Sequence, residues 1–158
     1  MITELTPELV RSAAVCHIEC WREAYRGVVP DHLLDAFDVD RLALDWRKRL
    51  TGPGRTFVAT VDGIVIGFAS AGPGPTGALQ LHSLYVRSAY YGSGVADELI
   101  DAAVGGSACS LWVFEANPRA QAFYRRHGFV LTGERDIERF SNAVEVRMTR
   151  TGSDPVQP

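Results

Sequence analysis

Residues 79–115 run strand, glycine turn, helix, strand, and no other feature constrains this chain as tightly. "LQLHSLYV" (79–86) is a β-rich run. "YYGSGVADELI" (90–100) follows at once, with Gly92 and Gly94 one residue apart. Val95, Leu99, Ile100 and Ala103 then repeat at helical spacing, and "CSLWVFE" from Cys109 is again β-rich. A strand-helix-strand unit of this kind predicts a right-handed crossover between parallel strands.

The flanking segments extend the pattern. "PELVRSAAVCHIECWREAY" (7–25) has apolar groups at Leu9, Ala13, Cys16, Cys20 and Ala24, the spacing of a helix. "DHLLDAF" and "DRLALDWRKRL" read as two short helices, each capped by its opening aspartate, Asp31 and Asp40. "RTFVATV" and "IVIGFASA" are strands joined at Asp62-Gly63, a hairpin signal. Residues 72–77 read as a loop. A helix is expected over 118–127, and "FVLTGER" and "AVEVRMTR" close the domain as strands. The order predicts an α/β (α+β) domain with a mixed sheet spanning residues 1–150. The tail 151–158 lacks core-forming residues and is expected to be frayed. A length of 158 residues suits one domain.

Composition narrows the function classes. The net charge is -3, without the basic excess of a nucleic-acid binder. No apolar run reaches the length of a membrane span, and "MITELTPELV" lacks the build of a signal peptide, so a cytoplasmic protein is expected. Three cysteines, Cys16, Cys20 and Cys109, make no disulfide framework. Cys16, His17 and Cys20 have no second pair at metal-ligand spacing. Cys16 and Cys20 read as small core residues on one helix face, and no metal is expected.

Gly92 and Gly94 leave the main chain bare where a helix begins. Unpaired N–H groups there suit an anion such as phosphate. A P-loop would need Gly-Lys-Ser/Thr, which is missing, and a dinucleotide fingerprint would need a glycine where Asp97 stands. A tight turn without a ligand remains the alternative. The second distinctive segment is "EANPRAQAFYRRHGF" (115–129). Asn117 suits an N-cap, Pro118 the first helical position and Gly128 the stop. Ala120, Phe123, Tyr124 and His127 share one face, and by spacing alone Tyr124 is a half-buried aromatic.

On these two segments the chain resembles the GNAT superfamily of acyl-CoA-dependent N-acyltransferases over roughly residues 1–150. "LHSLYVRSAYYGSGVADELI" is similar to the family's acetyl-CoA strand, pyrophosphate loop and following helix. "NPRAQAFYRRHGF" matches the second signature, Asn-x-x-Ala-x-x-Phe-Tyr-x-x-x-Gly-Phe, at every named position. "WREAYRGVVPDHLL" is similar to the substrate-side helix and loop of small bacterial members. The family loop usually reads Gln/Arg-x-x-Gly-x-Gly/Ala. Gly94 and Ala96 fit it, but Tyr91 stands at the first position.

The resemblance implies a mixed, mostly antiparallel sheet flanked by helices, and transfer of acetyl from acetyl-CoA to an amine. It places the diphosphate on main-chain groups of Tyr91, Gly92, Ser93, Gly94, Val95 and Ala96. It lays the pantetheine arm along Leu84, Tyr85 and Val86, with an N–H of that strand facing the carbonyl oxygen. Asn117 and Phe123 join the cofactor site, and Tyr124 matches the general acid. His82, on the strand face where members often place a glutamate or histidine, is a candidate base; an imidazole titrates near 6.5. A histidine filling the sheet surface is the equal alternative, and Glu115 is a second candidate. Trp21 and Tyr25 wall the acceptor site or serve as core anchors, with core preferred for Trp21. Asp31, His32, Asp35 and Asp38 make the connecting region acidic, which suits a cationic amine. The acceptor is a small-molecule amine or a protein N-terminus or lysine. A homodimer is common among relatives. A non-catalytic acyl-CoA sensor is the competing reading, motivated by Tyr91.

Overall fold

The computed structural model describes residues 1–152. One seven-stranded sheet runs in the order β1-β2-β3-β4-β5-β7-β6. Its strands are β1 (Ile2–Glu4), β2 (Arg55–Val61), β3 (Ile64–Pro73), β4 (Leu79–Val86), β5 (Cys109–Phe114), β6 (Val130–Ile137) and β7 (Val144–Arg150). The helices are α1 (Val10–Tyr25), α2 (Asp31–Asp35), α3 (Val39–Arg49), α4 (Val95–Val104) and α5 (Pro118–Arg126). Neighbouring strands are antiparallel except β4 and β5, which are parallel and joined through α4. The mixed, mostly antiparallel sheet expected from the sequence is therefore the observed one. Among the described residues no helix is long and apolar enough to cross a membrane.

Each sheet face buries its own core. On one face Leu81, Leu99, Ile100, Leu111, Phe129 and Met148 pack together beneath α4 and α5. On the other, Val58, Val65 and Phe68 meet Cys16, Cys20 and Trp46 from α1 and α3. Trp46 is fully buried and stands edge-on to Phe68, ring centroids 4.8 Å apart. Burying a side chain of Leu or Phe size stabilises by roughly 1.5–3 kcal/mol. Cys16 and Cys20 are both buried on one face of α1, with their sulfurs 3.8 Å apart.

Several expectations need correction. β1 precedes the first helix and pairs with β2 through Thr3 and Val58; three residues are too few to show a strand period. Residues Pro7–Leu9 form a 3-10 turn, so α1 begins at Val10. Asp31 does not cap α2, whose N-cap is Pro30. Asp40 does not cap α3. That cap is Asp38, whose carboxylate accepts from the Arg41 N–H at 3.1 Å. The loop expected over 72–77 starts later, because β3 runs to Pro73. Thr151 and Gly152 carry no regular structure, and the rest of the expected tail, 153–158, lies outside the described residues.

His17 sits in the wall between α1 and the sheet. Its Nδ1 accepts from the Trp46 indole at 3.2 Å, and its ring lies 5.2 Å from Phe68. Burial, with the nearby Arg49 charge, lowers its pKa from 6.5 to about 3. The unfolded chain thus takes up a proton near 6.5 that the folded protein refuses. Stability is full above that pH and falls as pH drops from 6.5 toward 3. By pH 5 the loss approaches about 2 kcal/mol. His17→Gln keeps an acceptor for Trp46 and removes the titration, so urea unfolding of this variant should lose that slope between pH 7 and 5. A slope identical to wild type would acquit His17.

Candidate active site

The parallel strands stay together only briefly. β4 and β5 pair at Gln80 with Ser110 and Leu81 with Leu111, and nowhere beyond. The departure begins one residue later. Against β3, the register passes from Ala71–Leu81 to Ser70–Ser83, which leaves His82 as the extra residue of a β-bulge. A bulge bends its strand and strengthens the local twist. Past it, β4 and β5 part, and a cleft of about 970 Å³ opens through the sheet. The Arg87 N–H donates to Ile66 of β3 at 2.8 Å. Because main-chain groups alternate sides along a strand, those of Val86 and Leu84 then turn away from β3 toward the cleft.

The glycine turn forms one rim. Glu23 of α1 holds its approach, accepting from Arg87 Nε at 2.8 Å and from the Ser88 N–H at 2.6 Å. Burial raises the Glu23 pKa, but these hydrogen bonds outweigh it and the net direction is down. Gly92 and Gly94 have φ of 77° and 89°, the left-handed region closed to most residues. A Cβ built on either would meet nothing within 4 Å, so conformation and not crowding demands glycine. Ser93 closes the turn, donating to Tyr90 O at 2.6 Å and accepting from the Val95 N–H at 3.4 Å. Among the described residues the N–H groups of Gly92, Gly94, Ala96 and Asp97 have no hydrogen-bond acceptor. Gly92, Gly94, Ala96 and Asp97 line the cleft, whereas Ser93 and Val95 shape the turn and the core beneath it.

α5 forms the opposite rim. The Asn117 side chain caps it, accepting from the Ala120 N–H at 3.2 Å, and lines the cleft, where it also bonds the Tyr25 hydroxyl. Gln121 is buried and donates to Phe114 O at 3.2 Å and Glu115 O at 3.0 Å, which ties α5 to the end of β5. The helix ends as Phe129 N–H reaches back to Tyr124 O at 3.0 Å. His127 bonds Asp97 at 2.7 Å and links α5 to α4. Tyr124 is 8% exposed and lines the cleft, and its hydroxyl has no hydrogen-bond partner among the described residues. Burial, then the nearby Tyr25 and Cys109, push its pKa above that of a free phenol.

A hydrogen-bonded pair of phenols also lines the cleft. Tyr25 and Tyr85 share a hydrogen bond at 3.0 Å. Burial pushes Tyr25 up to about 12, with hydrogen bonding to Tyr85 and Asn117 opposing the shift. Burial, with Tyr25 next, also raises Tyr85 well above its ordinary value. Trp21 packs edge-on to Tyr25 at 4.9 Å and to Phe114 at 6.1 Å, yet it also lines the cleft. Core anchor and cleft wall are thus one position.

The remaining candidates divide. His82 is exposed and lines the cleft, as do Leu84, Tyr85, Val86, Tyr91 and Phe123. Glu115 does not line it; its carboxylate pairs with Arg135 at 3.0 Å on the surface. The acidic connection is also largely spent. Asp31 and Asp35 both pair with Arg26, and Asp38 caps α3. Among the cleft residues that sequence reasoning missed are Trp112, Arg119, Arg126, Glu138 and Glu145. Arg119, Phe123 and Arg126 recur at helical spacing, a signal that was available. Nothing local marks Glu138 or Glu145, because the β6–β7 register puts them there.

A family model described as an acetyltransferase (GNAT) domain matches residues 52–131. The chain belongs to the GNAT superfamily of acetyltransferases. An uncharacterized N-acetyltransferase of Mycobacterium tuberculosis is 31% identical over 116 residues, covering 69% of this GNAT chain and 74% of the relative. An uncharacterized N-acetyltransferase of Bacillus subtilis, YuaI, is 27% identical over 151 residues, 87% and 84% of the two chains. The PaiA N-acetyltransferase of Thermoplasma acidophilum, solved with coenzyme A, shares the fold. Its TM-score is 0.73 at 17% identity, over 97% of this chain and 98% of that one. The protein is thus an acyltransferase of the GNAT type.

The left-handed turn yields a prediction. Gly94→Ala adds a side chain that touches nothing but disfavours φ of 89°. Chemical denaturation should show a loss of about 1–2 kcal/mol. Wild-type stability in this variant would mean that the turn is not held in this conformation.

Proposed function

We propose that this GNAT protein moves an acetyl group from acetyl-CoA directly to an amine inside the cleft. One observation carries the reading: the parted strands bring an open-amide turn, a free β4 edge and a buried, unpartnered phenol to a single cavity. The residues fit the carrier. Four N–H groups at the mouth of α4 suit a diphosphate, and Leu84 and Val86 offer the free edge to an extended amide chain.

Acetyl-CoA, when bound, supplies a thioester whose carbonyl carbon is attacked by the acceptor nitrogen and whose sulfur leaves as a thiol. The Val86 N–H donates to the carbonyl oxygen where negative charge gathers. Tyr124, kept protonated by burial, donates to the departing sulfur; the same dry surroundings raise the affinity of that sulfur for a proton. His82, at the bulge and open to solvent, accepts the proton released by the amine. Glu115 is left out of this scheme because Arg135 holds it away from the cleft.

The acceptor enters from the face lined by Trp21, Tyr25, Trp112, Glu138 and Glu145. Asp136 lies directly across from Glu145 in the β6–β7 ladder. Like charges so placed repel. Burial, then Glu138 and Asp136, raise the Glu145 pKa. Among the described residues no Lys, Arg or His pairs with Asp136, Glu138 or Glu145. A cationic amine, on a small molecule or at a protein N-terminus or lysine, relieves this repulsion.

Thiol release from acetyl-CoA, followed across an amine library, tests the proposal. Cofactor binding without release from any amine would favour a sensor over an enzyme. Tyr124→Phe should lower kcat by roughly 10²–10⁴-fold with nearly unchanged coenzyme A affinity; an undiminished kcat would remove Tyr124 from the chemistry. Glu145→Gln should raise KM for cationic acceptors about tenfold, the scale of one charge-assisted contact, while leaving KM for acetyl-CoA alone. Equal KM values in variant and wild type would place the acceptor elsewhere.

A further inference from the structure

Tyr91 occupies the loop position where a long polar side chain is usual, and the structure shows what stands beside it. The Arg119 guanidinium lies over the Tyr91 ring, its central carbon 3.3 Å from the ring centroid. The two residues come from opposite rims, Tyr91 from the glycine turn and Arg119 from the first turn of α5. Both line the cleft together with Gly92 and Gly94. Arg119 forms no ion pair with a carboxylate among the described residues. An uncompensated guanidinium is thereby held beside a turn whose N–H groups lack acceptors.

We infer that Arg119, carried on the face of Tyr91, holds the diphosphate of coenzyme A in place of a side chain from position 91. The inference rests on the reading of the cleft as an acetyl-CoA site. Three properties of arginine support it. Its planar cation stacks on an aromatic face, which tyrosine supplies and glutamine would not. Its fork of N–H groups matches phosphate oxygens two at a time. Stacking also restricts the long side chain beforehand, so less rotamer freedom is lost when the ligand arrives. The exchange moves the charge from the loop to α5 and leaves the amide turn unchanged. Arg126, two turns further along α5, lies 5.5 Å from the Phe123 ring on the same cleft wall and extends the positive rim.

Titration calorimetry with coenzyme A on the full chain tests this without reference to turnover. Arg119→Gln should weaken binding about tenfold, the scale of one charged hydrogen-bonding contact. It should also flatten the dependence of affinity on salt, since one ionic contact to phosphate is gone. The decisive variant restores the usual residue: Tyr91→Arg added to Arg119→Gln should recover most of the lost affinity and the salt dependence. Arg119→Lys, which keeps charge but not the stacked fork, should fall between wild type and Arg119→Gln. Wild-type affinity in Arg119→Gln overturns the inference. So does a loss that Tyr91→Arg fails to relieve and that leaves the salt dependence unaltered, for that pattern belongs to a structural contact. If wild type binds no coenzyme A, the acetyl-CoA reading itself fails, and this inference with it.

Discussion

The parting of β4 from β5 is the constraint on which the site depends. Two parallel strands that continued to pair would fill the sheet and leave no passage between its faces. The bulge at His82 and the end of pairing at Leu81 convert the middle of a seven-stranded sheet into an opening. An edge created inside a sheet has unusual properties. It exposes main-chain donors and acceptors, as an outer edge does, but neighbouring strands and helices shield it from another protein's strand. The backbone groups of Leu84 and Val86 are therefore available to a slender extended molecule and closed to a bulky one. Aromatic rings from α1 prop the gap on one face, with Tyr25 bonded to Tyr85 and Trp21 packed on Tyr25.

Few polar contacts hold the two rims, and their value lies in placement more than in stability. Glu23 fixes the approach to the glycine turn, Gln121 fixes α5 to the end of β5, and His127 with Asp97 joins the two helices. Exposed ion pairs contribute little to folding, typically below about 1 kcal/mol. Gln121 differs because it is buried, and each of its two bonds satisfies a carbonyl at the point where β5 ends. Removing it would take the side-chain donor from the Glu115 carbonyl, while Phe114 O keeps the Asn117 N–H at 3.0 Å, and α5 would lose its tie to the end of β5. The position of Tyr124 follows, three residues along the same helix.

How much of this was legible in the chain depends on whether the cause was local. α5 is readable because Asn117, Pro118 and Gly128 each carry their own reason to start or stop a helix, and its observed span differs from the expected one by a single residue. The glycine turn is readable for the same reason. β1 is not, since three residues display no period. The bulge is not, because it exists only in the register of β4 against β3. Glu115 illustrates the limit most clearly. Its place after β5 suggests a catalytic carboxylate, but Arg135 on β6 takes it, and no pattern around either residue announces the pairing. The acids of the first connection mislead in the same way: Arg26 and the α3 helix start consume them.

A net charge of -3 conceals a division that only the fold reveals. Arg119 and Arg126 line one part of the cleft, and Glu138 and Glu145 another. In a cleft with low-dielectric walls such a separation focuses the field along the passage. On the proposed reading, a polyanionic donor is drawn to the arginine end and repelled from the carboxylate end, and a cationic acceptor experiences the reverse. Each partner is thereby kept from the other's entrance, and the two reactive ends meet only where the strands part. On the same proposed reading, acetylation neutralises the amine and so weakens its attraction to Glu145, which loosens the product from the end by which the substrate entered.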